Sequence, residues 1–268
     1  MSNLVHVSSG AMDLVVEFFG AGPPLVFAHG LSGNRRSTKR QLTPLAPRYR
    51  VVVFDQRGHG DSTPVTDPAG YDLNDMAEDM GKVMDALEID RAVIGGESMG
   101  AATALHFALC HPERVDRLLL TAPAFGDSPN TEADRFQEIA AAIDALGMER
   151  FLEAARHTWH NDMAWPPDVI EHVSGMFRSH AEKSLVTAIN TVIQWVPIPS
   201  LEMLQRVTCP TCVIYWNDDA LHPAELTARM AAQIPQARVV QFPPLPAVFQ
   251  QPEAVGEIYA RFLTEVEQ

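Results

Sequence analysis

Gly96-Glu97-Ser98-Met99-Gly100 is a five-residue stretch between an apolar run and an alanine-rich run. The apolar run at 91–95 has the length and composition of a buried strand, and residues 98–110 are predicted to form a helix. A serine between a strand and a helix, with a glycine two positions away on each side, lies on a sharp turn. Its hydroxyl is exposed there, and neighbouring backbone can approach closely. The pattern predicts a nucleophile elbow built around Ser98.

Around this turn, apolar runs alternate with amphipathic segments, which is typical of a mostly parallel α/β sheet covered by helices on both faces. Strands are predicted at 13–19, 24–28, 50–54, 91–95, 117–121, 211–216 and 238–242. Helices are predicted at 38–45, 73–87, 98–110 and 252–266. Between 127 and 199 the sequence shows helical segments, such as 133–146 and 149–160, without a strand pattern. One sheet domain interrupted by a helical insertion is therefore expected.

The bulk properties restrict the possible functions. The chain has 268 residues, enough for one large domain, and a formal net charge of −14. A protein that binds nucleic acid needs a basic face to neutralise phosphates, so no nucleic-acid partner is expected. The apolar runs are of strand length, far below the roughly 20 residues of a membrane span, so no membrane association is expected.

The N-terminal residues and the cysteines suggest where the protein is located. No basic region leads into an apolar core near Met1, so a secretory signal is not expected. Three cysteines do not make a disulfide framework, and a cytoplasmic location is therefore expected. Cys209 and Cys212 have the spacing of a redox motif, but no second pair completes a metal site. We interpret them as small apolar residues that lead into a buried strand.

Two further segments carry a resemblance to a known family. His29-Gly30-Leu31-Ser32-Gly33 follows an apolar strand and resembles the oxyanion-loop motif of the α/β-hydrolase fold superfamily. Asp55-Gln56-Arg57-Gly58-His59-Gly60-Asp61-Ser62 follows the next strand and looks like that family's Asp-x-Arg-Gly-x-Gly-x-Ser turn. Their order and spacing from Ser98 also match. The resemblance covers nearly the whole chain and implies a core domain at 1–126 and 200–268, with a helical cap at 127–199.

The resemblance also implies roles for individual residues. The backbone N–H groups of Leu31 and Met99 would form the oxyanion hole, while His29 and His59 would shape their turns. The acidic member of a catalytic triad would be Asp219. It lies in Trp216-Asn217-Asp218-Asp219-Ala220-Leu221-His222-Pro223, which resembles the family's Gly-x-x-Asp-x-x-x-Pro. Trp216 stands where the family usually has glycine, so the turn is expected to be altered. Asp218 is the alternative acid.

One position departs from the family pattern. The catalytic histidine of the family is expected about seven residues before the proline that opens the final helix, and Leu245 occupies that position before Pro252. No histidine follows His222 in the chain. Leucine cannot accept a proton, so Ser98 would lack its usual general base. The surrounding loop has gained prolines and lost its glycines, which favours natural remodelling and predicts an incomplete catalytic triad.

Three interpretations follow from the missing base. In the first, another histidine serves Ser98 in hydrolysis; His222 is the possible substitute base, three residues after Asp219. The helical insertion adds a set of four less favoured histidines: His157, His160, His172 and His180. In the second, the same pocket and oxyanion hole support a non-hydrolytic lyase, cyclase or dehydratase. In the third, the protein binds a small molecule without turnover.

The remaining expectations concern the ligand. Several apolar side chains of the helical insertion offer surface for a small, hydrophobic, carbonyl-containing substrate: Trp159, Met163, Trp165, Met176, Phe177 and Trp195. A basic cluster follows the oxyanion loop and is either a solvated helix start or a carboxylate site at the pocket mouth: Arg35, Arg36, Lys39 and Arg40. No motif implies a metal or an organic cofactor. The sequence leaves the substrate and the oligomeric state open.

Overall fold

The computed structural model describes residues 2–267, and its strands form one eight-stranded sheet. The strands are β1 (Asn3–Ser9), β2 (Met12–Gly20), β3 (Pro24–Ala28), β4 (Arg50–Phe54), β5 (Ala92–Glu97), β6 (Val115–Thr121), β7 (Thr211–Tyr215) and β8 (Ala237–Gln241). Their order across the sheet is β1-β2-β4-β3-β5-β6-β7-β8. β2 pairs antiparallel with β1 and β4, and all other neighbours are parallel. The predicted mostly parallel α/β sheet is confirmed.

Helices cover both faces of this sheet. They are α1 (Arg35–Leu42), α2 (Leu73–Ala86), α3 (Met99–Cys110), α4 (Ala133–Leu146), α5 (Met148–Asn161), α6 (Pro167–Arg178), α7 (Glu182–Val192), α8 (Ala224–Gln233), α9 (Ala247–Gln250) and α10 (Glu253–Glu265). Apolar residues of α2, α3 and α8 pack into the core on one face, and those of α1 and α10 pack on the other. No helix in the described part of the chain is long and apolar enough to cross a membrane.

Strand β4 shows why its sequence is rich in valine. Val52 and Phe54 point into the core cluster on one face of the sheet, whereas Val51 and Val53 point into the cluster on the other. All four side chains are buried. Successive side chains of a strand point to opposite faces, so a strand covered on both sides is apolar at every position.

Strand β1 was not predicted from the sequence. Of its seven residues only Val7 is buried, and Leu4 is exposed. An edge strand with one buried side chain has no apolar periodicity for sequence analysis to detect. β1 forms only because its backbone pairs with β2 along the whole strand.

Helices α4–α7, here called the helical cap, lie between β6 and β7. They share a small core of their own, which includes Ile143, Leu152, Val173 and Leu185. All four helices fall within the predicted insertion at 127–199, of which only α4 and α5 were predicted individually. The cap is placed over the carboxyl ends of the strands, where parallel sheets carry their sites. The division into a core domain at 1–126 and 200–268 and a cap at 127–199 remains a prediction.

Candidate active site

Ser98 lies on the turn between β5 and α3 with a strained backbone. Its φ and ψ are 53° and −110°, a conformation that is rare for a residue with a side chain. A Cβ atom on Gly96 would lie 2.0 Å from the Gly100 carbonyl oxygen, and one on Gly100 would lie 2.1 Å from the Ala28 carbonyl oxygen. Close backbone packing therefore requires glycine at both positions. The same packing holds the Ser98 backbone in its strained conformation.

The Ser98 hydroxyl has a histidine partner. His222 Nε2 lies 2.9 Å from Ser98 Oγ, and His222 Nδ1 lies 2.7 Å from Oδ2 of Asp219. A carboxylate only accepts hydrogen bonds, so Nδ1 carries the ring hydrogen and Nε2 accepts from the serine hydroxyl. The three side chains form one chain of hydrogen bonds in the order serine, imidazole and carboxylate.

Asp219 is held by the turn that follows β7. Its Oδ1 accepts the backbone N–H of Leu221 at 3.0 Å and of His222 at 3.3 Å, and its Oδ2 also accepts from Trp216 Nε1 at 2.6 Å. Burial raises the pKa of Asp219, but its hydrogen bonds and the charge of His222 outweigh burial and lower the pKa to about 2. The carboxylate is thus ionised and fixed beside the imidazole.

Trp216 departs from the expected glycine without disturbing the site. The positive φ of this turn falls on Asp218, at 61°, so the backbone at position 216 does not need glycine. The Trp216 side chain is buried, and its ring stands edge-on to the His222 ring at a centroid distance of 5.6 Å. Sequence analysis treated Trp216 only as an irregularity, although it donates to Asp219. The missed signal is an indole N–H three residues before Asp219, close enough to donate a hydrogen bond to its carboxylate.

The loop that carries Leu245 is used for packing. Leu245 is half-buried against the apolar cluster that contains Trp216 and Val248. Phe249 of α9 extends this packing to the helical cap, with ring centroids 6.4 Å from Trp165 and 5.6 Å from His172. The sequence predicts an incomplete triad because position 245 holds leucine. In the structure Ser98 nevertheless has an imidazole partner, and it comes from a different loop.

The two predicted oxyanion donors lie in the turns that follow the neighbouring strands β3 and β5. Met99 is the first residue of α3, and Leu31 lies in the loop that follows β3. Within residues 2–267, neither of these two backbone N–H groups has a protein hydrogen-bond acceptor. The positive end of the α3 dipole also points at this position. Both N–H groups are free to donate to a ligand.

Glu97 is a polar group next to the nucleophile that sequence analysis did not consider. Its Oε2 accepts from Gln41 Nε2 at 2.9 Å. Burial raises the pKa of Glu97, against a smaller lowering by the Gln41 hydrogen bond and the charge of His222. The available signal was its place inside the elbow motif, directly before Ser98.

His29 and His59 lie beneath the oxyanion loop. His29 Nδ1 donates to the Gly30 carbonyl at 2.7 Å, and Nε2 accepts the Gln56 N–H at 2.9 Å. Burial lowers the pKa of His29 to about 3. His59 Nδ1 donates to the Arg57 carbonyl at 2.9 Å, and burial lowers its pKa as well, because water is excluded from the ring. Both rings are therefore neutral, as expected of residues that shape their turns.

The four cap histidines are all described, and none of them is hydrogen-bonded to Ser98. His157 and His160 are exposed on α5, and His172 contacts Phe249. His180 is buried, and its Nε2 lies 2.9 Å from the Ser32 carbonyl of the oxyanion loop.

Three members of the basic cluster after the oxyanion loop are paired with carboxylates of the chain, and they differ in burial. Arg35 is buried and pairs with Asp55 and Asp61, and Arg36 also pairs with Asp61. Lys39 pairs with the half-buried Glu17 of β2. Arg35 is therefore a buried, paired charge and not part of a solvated helix start. Arg36 is exposed, as the prediction of a solvated helix start requires.

Apolar side chains surround the residues that flank Ser98. Leu31 and Leu221 pack against a cluster that includes Phe125, Phe136 and Trp195. Leu31 also touches the core of the helical cap. The cap tryptophans Trp159 and Trp165 stack on each other at 5.7 Å and pack against the core of the cap. The surroundings of the site are therefore apolar on the cap side.

Cys209 and Cys212 carry no separate site in the structure. Cys212 is buried in β7, and burial raises the pKa of its thiol to about 12. Among residues 2–267 no three histidine, cysteine, aspartate or glutamate side chains converge in a way that could hold a metal ion.

Comparison with known proteins agrees with this geometry. The profile of the alpha/beta hydrolase fold family matches residues 23–246. The chain belongs to the α/β-hydrolase fold family. A protein of Azorhizobium caulinodans named as the carbamate hydrolase RutD is 26% identical over 271 residues, which cover 98% of this chain and 99% of that protein. A protein of Mycobacterium phage D29 named as a non-heme haloperoxidase is 30% identical over 222 residues, covering 78% of this chain and 76% of that one.

Solved structures of the α/β-hydrolase fold superimpose over the whole chain. A thermophilic esterase from Thermogutta terrifontis, solved with malate bound, has a TM-score of 0.82 and 28% sequence identity. The superposition covers 99% of this chain and 100% of the esterase. The chain is thus a hydrolase-like enzyme of this superfamily.

Proposed function

We propose that this α/β-hydrolase is a serine hydrolase that cleaves small, apolar esters or related carbonyl compounds through Ser98. The observation that carries the proposal is the 2.9 Å distance between His222 Nε2 and Ser98 Oγ, with Asp219 2.7 Å from the other ring nitrogen. A nucleophile, a base in contact with it and a group that orients the base are the parts that serine hydrolysis requires.

In the proposed mechanism, Ser98 Oγ attacks the substrate carbonyl carbon while its proton moves to His222 Nε2. Asp219 holds the ring in the required tautomer and stabilises the imidazolium. The Leu31 and Met99 N–H groups donate to the oxyanion of the tetrahedral intermediate; losing one such donor typically costs about 10²–10³ in rate. The alcohol leaves with the proton from His222 and Ser98 is acylated. Water then attacks the acyl carbon while His222 takes its proton. Ser98 Oγ leaves as the acid is released and regains its proton from His222.

Two observations support an apolar carbonyl substrate. The side chains next to the proposed oxyanion donor Leu31 are aromatic and aliphatic, which suits an apolar acyl or alcohol group. The names of two relatives, a carbamate hydrolase and an esterase, also refer to hydrolysis at a carbonyl group.

The test uses short p-nitrophenyl esters and a fluorophosphonate probe on the wild-type protein, Ser98→Ala and the exposed control Ser200→Ala. We expect turnover and one-to-one labelling in the wild type and the control, and neither in Ser98→Ala. Absence of labelling and of turnover in the wild type would overturn the proposal. Binding of a small carbonyl compound without turnover would then favour a non-hydrolytic enzyme or a ligand-binding protein.

A further inference from the structure

A series of hydrogen bonds ends at the Leu31 N–H. The peptide group of this N–H also contains the Gly30 carbonyl, and in a trans peptide the two point in opposite directions. The Gly30 carbonyl accepts the Gly33 N–H at 2.9 Å, beside the bond from His29 Nδ1 at 2.7 Å. The Gly33 N–H shares a peptide group with the Ser32 carbonyl, which accepts from His180 Nε2 at 2.9 Å. The direction of the Leu31 N–H therefore depends on two peptide groups in series, and His180 holds the outer one.

The second ring nitrogen of His180 extends the series. The Gly60 N–H donates to His180 Nδ1 at 3.1 Å. Because Nδ1 accepts and Nε2 donates, the ring is neutral and has one defined tautomer. All donors from Gly60 to Leu31 point in the same sense, and each bond in such a chain strengthens its neighbours by about 10–30%. The Leu31 N–H at its end becomes a better donor to an oxyanion.

His180 can act in this way because water is excluded from it. It lies between α6 and α7 and is 8% exposed. Its ring stands edge-on to His59 at 5.2 Å, and His59 stands edge-on to His29 at 5.1 Å. Burial lowers the pKa of His180, although the hydrogen bond to the Ser32 carbonyl and the charge of Asp55 act to raise it. The nearby carboxylate is itself paired with Arg35. The side chain thus links the helical cap to the oxyanion loop as a neutral donor.

Another buried side chain of the cap provides a matched comparison. Ser184 of α7 donates to the Gly58 carbonyl at 2.7 Å and accepts the Val65 N–H at 2.9 Å. Its hydroxyl also lies 3.0 Å from Tyr71 Oη, so Ser184, like His180, ties the cap to the core by side-chain hydrogen bonds. None of these three partners belongs to the oxyanion loop.

We propose that His180, a residue of the helical cap, is a positioning residue that orients and polarises the Leu31 N–H through the Ser32 and Gly30 carbonyls. The proposal rests on the proposed function, in which Leu31 is an oxyanion donor. It makes the placement of the cap a condition for an intact oxyanion hole, because the donor to Ser32 comes from the cap. A shift of about 1 Å in such a group can cost 10²-fold in rate.

Two substitutions separate the two nitrogens of His180. The side-chain amide of His180→Gln can donate to the Ser32 carbonyl, whereas the shorter amide of His180→Asn can only accept from Gly60. We expect His180→Asn to lower kcat by about 10-fold or more, part of the 10²–10³ effect of a lost donor, with KM changed less than about threefold. His180→Gln should recover most of that loss. The affinity for a trifluoromethyl ketone, whose adduct with Ser98 carries an oxyanion, should fall in parallel with kcat.

Ser184→Ala serves as the control for loosening of the cap, with the melting temperature measured for every variant. If the wild type neither turns over ester nor reacts with the fluorophosphonate, the proposed function falls and this inference falls with it. If the wild type reacts but His180→Asn, His180→Gln and Ser184→Ala lose kcat equally, only the positioning role is overturned. An unchanged kcat in His180→Asn would also overturn the positioning role of His180. His180→Met, which fills the volume without a hydrogen bond, replaces the asparagine variant if that variant does not fold.

Discussion

His222 Nε2 contacts Ser98 Oγ at 2.9 Å although 124 positions of sequence separate the two residues. The carboxylate that orients the ring, Asp219, lies only three residues before it on the loop between β7 and α8. Acid and imidazole thus come from one turn. The loop at Leu245 contributes neither of them and packs instead against the cap and the sheet.

The first prediction concerns the base. His222→Gln should lower kcat for an activated ester by roughly 10³-fold or more, because the amide cannot take the Ser98 proton. Leu245→Ala should keep kcat within a few fold, and Leu245→His should give no gain, since this side chain packs into an apolar cluster and Ser98 already has His222 as its partner. Steady-state kinetics with Ser98 active-site titration checks all three. A large loss in Leu245→Ala, or full activity in His222→Gln, would contradict the assignment.

The second prediction separates two adjacent aspartates. Asp219→Asn should lower kcat by about 10³–10⁴-fold, because the amide no longer fixes the His222 tautomer or stabilises the imidazolium. Asp218→Asn is the matched control: this residue is exposed with φ of 61°, a conformation that asparagine tolerates, so activity should be unchanged. Comparable losses in both variants would show that the turn, and not the Asp219 carboxylate, matters.

The third prediction concerns the glycines of the elbow. Gly96→Ala should destabilise the fold by about 1–3 kcal/mol or more, because its Cβ would lie 2.0 Å from the Gly100 backbone carbonyl oxygen. Gly175→Ala, in the exposed face of α6 with nothing within 4 Å, should stabilise by about 0.5–1 kcal/mol. Urea unfolding measures both, and equal effects of the two substitutions would refute the packing argument.

The fourth prediction is that acid destabilises the protein through its buried histidines. The pKa values of His29, His59 and His180 are lowered by burial, that of His29 to about 3, whereas unfolded histidine titrates near 6.5. Below about pH 6.5 the unfolded state binds protons that the folded state does not. The free energy of unfolding should then fall by up to about 1.4 kcal/mol per pH unit for each histidine. Asp219, with its pKa of about 2, adds a loss only below about pH 4.

Urea unfolding between pH 4.5 and 7.5 checks this slope. His180→Gln removes one titrating group, so its slope should be smaller than that of the wild type by up to about 1.4 kcal/mol per pH unit. His160→Gln, at an exposed position of α5, should leave the slope unchanged. A wild-type stability that is flat from pH 7.5 to 4.5 would exclude the buried histidines as the source of acid sensitivity.

Local sequence rules were sufficient to predict most strands and helices of the fold and the turn that carries Ser98. The residues of β4 and α4 were predicted to the last position, because an unbroken valine run and an amphipathic repeat are properties of neighbouring residues. Asp219 was identified through the resemblance of its turn to the family pattern. β1 and the fates of Arg35 and Lys39 were not, since an edge pairing or an ion pair depends on partners far along the chain.

By itself the sequence determined the elbow, because a strand, two glycines and a helix enforce that turn through contacts within a few residues. It also narrowed the base to five histidines. Only the tertiary structure decided which of them reaches Ser98. β5 and β7 are separated by β6, so their ends lie about 10 Å apart, and the turn after β7 brings the His222 ring across that gap. The same packing brings His180 of the cap to the oxyanion loop, a contact between residues 148 positions apart that no local pattern encodes.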